Sequence, residues 1–158
     1  MRVLILGGYG VFGGRLARLL ADEGRMELLI AGRDRARAER FCAAWDGAPR
    51  VRPLRADRRD LAPLLGAERP DVLVDASGPF QDYGPAPYAA LEAALDARIP
   101  YLDFSDGAAF VEGVAAFDAR ARAAGVFALS GVSSFPVLTA AVLAEAAQRM
   151  DIRAARGG

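Results

Sequence analysis

Val3-Leu4-Ile5-Leu6-Gly7-Gly8-Tyr9-Gly10-Val11-Phe12-Gly13 opens the chain with an apolar strand, a glycine turn and the start of a helix. Inside it stands Gly8-x-Gly10-x-x-Gly13, in the order that a dinucleotide-binding turn requires. In such a turn the first glycine allows the chain to reverse tightly. Gly10 keeps side-chain atoms away from a pyrophosphate, and Gly13 lets the helix pack close to the strand. The free N–H groups of the helix's first turn, aided by its dipole, then face the phosphate anion. Phe12, Leu16, Leu19 and Leu20 are expected to form one apolar helix face. The competing reading is a glycine turn that only packs. The strand before it and the amphipathic helix after it favour the binding turn.

Outward from this turn, short apolar runs alternate with longer helical segments six times. The expected strands are Val3–Leu6, Leu28–Ala31, Val51–Leu54, Val72–Ala76, Tyr101–Asp103 and Val126–Leu129. The expected helices are Val11–Asp22, Arg35–Trp45, Asp60–Leu65, Pro87–Ala97, Ala108–Ala124 and Val137–Met150. Strands that read as unbroken apolar runs are buried on both faces, with helical crossovers between them. The fold class that follows is α/β, a doubly wound six-stranded parallel sheet of the Rossmann kind in the order 3-2-1-4-5-6. Residues 1–150 are expected to form one NAD(P)-binding domain, and residues 151–158 a frayed tail. The first and fourth strands then lie side by side with crossovers leaving in opposite directions, which opens a crevice at their carboxyl ends. Across it the glycine turn is expected to face Ser77-Gly78-Pro79-Phe80.

A chain of 158 residues suits one domain that buries roughly 70% of its unfolded surface. Lys+Arg and Asp+Glu balance at 20 each, so no basic face that would drive nucleic-acid binding is implied. Every one of the cations is arginine, and histidine is absent too. The missing histidine excludes a Ser-His-Asp triad and a His-ligated metal. The missing lysine excludes a Schiff base, a P-loop lysine and the Tyr-Lys pair of short-chain dehydrogenases. The single Cys42 cannot make an intrachain disulfide or a thiolate cluster. Its helical spacing with Phe41 and Trp45 predicts a core thiol, and no metal site is expected. Arg2 followed by an apolar stretch resembles a short signal peptide, but no small-residue cleavage site follows. The uncharged run Ala123–Ala144 is long enough to span a bilayer. Gly125, Ser130, Gly131, Ser133, Ser134 and Pro136 interrupt it, so strand, loop and helix are expected there instead. A cytoplasmic location without membrane contact follows.

The second expected strand ends Ile30-Ala31-Gly32-Arg33-Asp34-Arg35. NAD-binding turns place an acid there to accept the ribose 2′-hydroxyl, and Gly32-Arg33 stands in its place. A carboxylate would repel a 2′-phosphate, whereas a guanidinium grips it with paired charge-assisted hydrogen bonds, so NADP is favoured over NAD. Asp34 is expected to cap the following helix. After the fourth strand, Gly78 permits close approach, Pro79 stiffens the loop, and Phe80 lies either against a cofactor ring or in the core. Asp103 and Asp106, after the fifth strand, could hold substrate or exchange a proton. Equally, Ser105 or Asp106 could cap the helix beginning near Ala108. Ser130 to Pro136 offer hydroxyls and helix-start N–H groups to an anion, or Ser134 with Pro136 simply caps the last helix.

Taken together, GGYGVFGGRLARLL, AGRD, DVLVDASGPFQDYG, YLDFSD and AGVFALSGVSSFP resemble the N-terminal nucleotide-binding domain of the saccharopine dehydrogenase-like family. The resemblance covers nearly the whole chain. It implies an NAD(P)-dependent oxidoreductase with a Rossmann domain and a separate substrate and dimerisation domain. It also implies that Gly8, Tyr9, Gly10, Val11 and Phe12 contact the pyrophosphate, that Arg33 takes the adenosine end, and that Ser77 with Gly78 lies near the nicotinamide ribose. Ser133-Ser134-Phe135-Pro136 departs from the Asp-Pro-Gly element of members acting on saccharopine, so a different small substrate is expected. The implied second domain is expected to lie outside these residues, leaving the isolated domain able to bind but not to turn over. A stand-alone dinucleotide sensor or partner module is the alternative. An exposed crevice or sheet edge would favour a homo-oligomer.

Overall fold

The computed structural model describes residues 1–80 and 84–154, the side chains of 134–138 excepted. The strands are β1 (Arg2–Leu6), β2 (Glu27–Gly32), β3 (Arg50–Arg55), β4 (Val72–Asp75), β5 (Tyr101–Asp103) and β6 (Ala128–Leu129). The helices are α1 (Val11–Leu19), α2 (Arg35–Ala43), α3 (Ala62–Glu68), α4 (Ala89–Asp96), α5 (Ala108–Val114), α6 (Asp118–Ala124) and α7 (Ser134–Ala147). All pairings are parallel, in the order β3-β2-β1-β4-β5-β6 expected from the sequence. The central strands are covered on both sides. Leu4, Leu29, Leu73 and Tyr101 face Leu65 of α3, Leu91 of α4 and Phe110 of α5. Val3, Ile5, Leu28 and Ile30 face Ala17 of α1 and Ala38 of α2.

Strand β3 is an edge, and its Arg-Val-Arg-Pro-Leu-Arg sequence is only partly buried. An edge tolerates Pro53, which has no N–H to give to a further strand. At the amino-terminal rim, Arg2 Nε donates to Glu27 at 2.7 Å, and Arg52 pairs with both Glu27 and Glu68. These ion pairs join three strands to α3 at the end of the sheet away from the glycine turn.

Two expectations are corrected. The buried stripe of α1 is Gly13, Gly14 and Ala17, whereas Phe12 and Leu19 are 66% and 73% exposed. Small residues let the helix axis approach the sheet, so the close face is glycine and alanine, with Leu16 and Leu20 at its flanks. The single helix expected over 108–124 is broken into α5, a 3-10 turn at Ala115–Phe117, and α6. Tyr88 is wedged at the break, its ring 4.8 Å from Phe110 and 5.2 Å from Phe117 between centroids. Its hydroxyl donates to the Phe110 carbonyl at 3.2 Å.

Cys42 is half-buried, and burial pushes its thiol up, as a core thiol requires. Among the described residues no helix is long and apolar enough to cross a membrane. Residues 151–154 carry no helix or strand; the rest of the expected tail lies outside the described residues.

Candidate functional site

Strand β1 leaves the sheet at Gly7, whose φ of 77° is in the left-handed region that favours glycine. The Gly7 and Gly8 amides both donate to the Ala31 carbonyl of β2, at 2.8 and 3.2 Å. The Gly10 amide closes the turn on the Gly7 carbonyl at 2.8 Å. Gly7 therefore makes the reversal that the sequence assigned to Gly8. A Cβ on Gly8 would meet the Ile5 carbonyl at 2.8 Å, so Gly8 serves packing between β1 and β2. The operative spacing is Gly7-x-x-Gly10-x-x-Gly13. A Cβ on Gly13 would collide with the Gly7 carbonyl and come within 2.8 Å of the Gly8 Cα.

Gly10 differs from these. Its backbone is ordinary extended chain, φ −80° and ψ −178°, and a Cβ there would meet only the Gly7 oxygen at 3.1 Å. It is the N-cap of α1, with no side-chain cap over the first-turn N–H groups. Those groups have no intrahelical acceptor. Val11 and Phe12 are exposed beside them.

Tyr9 turns away from this opening toward the end of β2. Its hydroxyl accepts a hydrogen bond from the Asp34 amide at 2.9 Å, and the Arg37 guanidinium lies 5.0 Å from its ring centre. Asp34 caps α2 as expected, accepting from the Arg37 amide at 3.0 Å. Arg33 is exposed and makes no hydrogen bond or ion pair among the described residues. Asp57, after β3, is held well below the usual carboxylate range, first by the Arg59 side chain and then by its amide.

Across the crevice, β4 and β5 end on two fully buried carboxylates, Asp75 and Asp103, partners in register. Asp75 Oδ1 accepts from the Ser77 amide at 2.9 Å and from its hydroxyl at 2.6 Å. This turn positions Ser77, followed by a cis Gly78–Pro79 peptide that is exposed. Phe80 takes the core position among its two readings, 8% exposed and edge-on to Phe110 with ring centres 5.2 Å apart.

Asp103 Oδ1 accepts from the Ser105 amide at 2.9 Å, the Ser130 hydroxyl at 3.0 Å and the Gly131 amide at 2.9 Å. Its carbonyl accepts from the Val132 amide at 2.9 Å. It thus ties the loops after β5 and β6 together from inside. Asp106 is exposed, and α5 begins from Gly107 with no side-chain cap, while the buried Ser105 hydroxyl accepts from the Gly107 amide. Helix α7 has Ser133 as its N-cap, without a side-chain cap. The side chains of Ser134, Phe135 and Pro136 lie outside the described residues, as does Tyr83. The Tyr101 side chain is buried in the core, and the half-buried Tyr88 packs against that core.

The second oxygens of Asp75 and Asp103 are buried without a hydrogen-bond partner among the described residues. Burial pushes the Asp75 carboxyl up; Ser77 and the Arg58 charge oppose this, and the Asp103 charge adds to it. The folded chain therefore holds this proton more tightly than the unfolded chain. The contribution of Asp75 to stability is full below the ordinary value of about 4 and is lost as pH rises through the raised folded value. Asp75→Asn, which keeps an acceptor for Ser77 and carries no charge, is expected to gain melting temperature over the parent as pH rises from 4 to 8. A parallel offset at all pH values in thermal melts would contradict this.

The family model of the saccharopine dehydrogenase NADP binding domain matches residues 3–129. The chain belongs to this family. The saccharopine dehydrogenase NADP-binding domain family binds nicotinamide dinucleotides, and in this member the glycine turn, the end of β2 and the Ser77 loop lie at the carboxyl ends of β1, β2 and β4. Among solved structures, the chain is similar to apo saccharopine dehydrogenase (L-Glu forming) from Saccharomyces cerevisiae, with TM-score 0.68 and 15% identity. That match covers 93% of this chain and 31% of the yeast enzyme, so the domain spans less than a third of it. An NAD binding oxidoreductase from Klebsiella pneumoniae matches with TM-score 0.55 and 19% identity over 92% of this chain and 39% of its own. Biliverdin reductase from Synechocystis, solved with biliverdin and NADP+, matches with TM-score 0.53 and 20% identity over 82% and 37%. At these identities the likeness is one of fold. No curated protein sequence matches significantly.

Proposed function

We propose that residues 1–150 bind NADP(H) in the crevice between β1 and β4, as the cofactor half of an oxidoreductase acting on a small substrate. When bound, the nicotinamide supplies or accepts the hydride; the chain's own residues bind and orient it. The observation that carries this reading is the Gly7–Gly13 turn. Its one open glycine, Gly10, sits at an uncapped helix start, a cradle that a side chain would fill. The amides of Val11, Phe12 and Gly13 would face the pyrophosphate. Gly8 and Tyr9 would contribute the backbone of the turn beneath it, and Ser77, Gly78 and Pro79 would border the nicotinamide ribose. The substrate would be held by a further domain, in keeping with the share of the yeast enzyme that this chain spans.

For the choice of dinucleotide, the support is the end of β2. Arg33 is exposed there, and the carboxylate that follows it in the chain, Asp34, is committed to capping α2. Arg33→Ala is expected to weaken NADPH binding by roughly 1.5–3 kcal/mol, the scale of hydrogen bonds to charged groups. NADH affinity should change little, since NADH lacks the 2′-phosphate. Fluorescence titration of the parent and the variant with both dinucleotides is the test. No saturable binding of either by the folded parent chain defeats the reading, and equal losses on NADPH and NADH would assign Arg33 elsewhere.

One observation favours the second reading, a binding module without chemistry. Of the two acids considered for proton transfer, Asp103 is sealed inside the loops that it organises. Asp106 alone is exposed to a substrate, and Asp103 enters chemistry only by acting through its neighbours.

A further inference from the structure

Gly32 ends β2, and its backbone is not in the left-handed region, so conformation does not explain the glycine. Tyr9 does. A Cβ on Gly32 would come within 2.5 to 2.6 Å of the Tyr9 hydroxyl and ring carbons. Any larger residue at the strand end must displace a ring held by the Asp34 amide on one side and stacked with Arg37 on another. The position from which a strand-end carboxylate would reach a ribose 2′-hydroxyl is thus filled by an uncharged ring from the preceding glycine turn. The face of that ring carries the Arg37 guanidinium, and the exposed Arg33 stands in the bend between Gly32 and the Asp34 cap.

We infer that Tyr9 is the residue that sets the preference at the ribose 2′ position: it excludes a carboxylate from the end of β2 and seats Arg37 beside Arg33 to receive a 2′-phosphate. This rests on the NADP(H) reading above. The physical basis is double. A phosphate is attracted by two guanidiniums, and the acid that would repel it cannot be accommodated while the ring is in place. A stacked guanidinium is also partly ordered before the ligand arrives, so less rotamer freedom is lost on binding.

Two experiments test it. The first uses no ligand: melting temperatures of the parent, Gly32→Ala, Tyr9→Ala and the double variant. Gly32→Ala is expected to lower the melting temperature in the parent and to cost little beside Tyr9→Ala. Equal losses in both backgrounds would show that the ring does not enforce the glycine, and would overturn the inference. The second compares dissociation constants for NADPH and NADH, with adenosine 2′,5′-bisphosphate and adenosine 5′-monophosphate as shorter probes. Tyr9→Ala is expected to lower the preference for the 2′-phosphorylated member of each pair by about tenfold, and Tyr9→Ala with Gly32→Asp by about a hundredfold. Tyr9→Phe, which keeps the stacking face, should retain most of the preference. An unchanged ratio in Tyr9→Ala overturns the inference while the NADP(H) reading stands. If the parent binds neither dinucleotide, the reading beneath falls and this falls with it.

Discussion

Replacing Gly10 with valine is expected to remove NADPH binding while leaving the domain folded. The backbone at Gly10 is extended, so valine adopts it without strain, and its Cβ would meet only the Gly7 oxygen at 3.1 Å. Beyond that contact the side chain projects into open space at the start of α1, where the proposed pyrophosphate lies. Two methyl groups there would hold the phosphates off the helix-start amides. The expected cost is about 3 kcal/mol, roughly a hundredfold in dissociation constant, judged from overpacking of a close-fitting site. Gly13→Val supplies the contrast. Its Cβ would collide with the Gly7 carbonyl and force α1 away from the turn, so it is expected to unfold the domain rather than only empty it. Circular dichroism and thermal melting separate the two outcomes, and NADPH fluorescence reads binding. Unaltered affinity in a folded Gly10→Val variant would mean that the pyrophosphate does not pass this residue.

The same glycine run shows how far the sequence carries the fold and where it stops. Buried parallel strands read as apolar runs because both faces are covered, so β1, β2 and β4 could be read from composition and the sheet order followed from their alternation with helices. The run itself contains two overlapping spacings, one starting at Gly7 and one at Gly8. Spacing does not choose between them; a left-handed φ does, and it goes with the Gly7 amide's hydrogen bond to the Ala31 carbonyl of β2, beyond the whole of α1. Periodicity likewise placed Phe12 and Leu19 on the packed side of α1. It scores apolarity and has no measure of how closely two backbones must approach, which here selects Gly13, Gly14 and Ala17. Tyr9 was legible only as a member of the turn. Its reach to Gly32 and Arg37 is a tertiary contact between segments with no shared local pattern.

Asp103→Ala is expected to cost stability on the order of 3–5 kcal/mol, because it leaves buried donors without their acceptor at roughly 1–3 kcal/mol each. As an acid at the end of a strand, Asp103 reads equally well as a proton donor or a structural ligand. Its donors favour structure, and they come from Ser105 in the next loop and from Ser130 and Gly131 beyond two helices. Alanine would strip the acceptor from two amides and a hydroxyl at once; Ser105 is fully buried, so water cannot readily replace the carboxylate there. The loops after β5 and β6 should open first, because Val132 also hangs from the Asp103 carbonyl and fixes the approach to α7. Asp103→Asn keeps an oxygen in the same place and is expected to lose only about 1–2 kcal/mol. Denaturant unfolding of the three proteins measures the difference, and hydrogen exchange at residues 104–107 and 129–133 locates it. A group serving only proton transfer would behave otherwise: the alanine variant would melt like the parent. That result would overturn the structural role; the expected ranking, parent above asparagine above alanine, makes Asp103 the knot that holds the loops after β5 and β6 together.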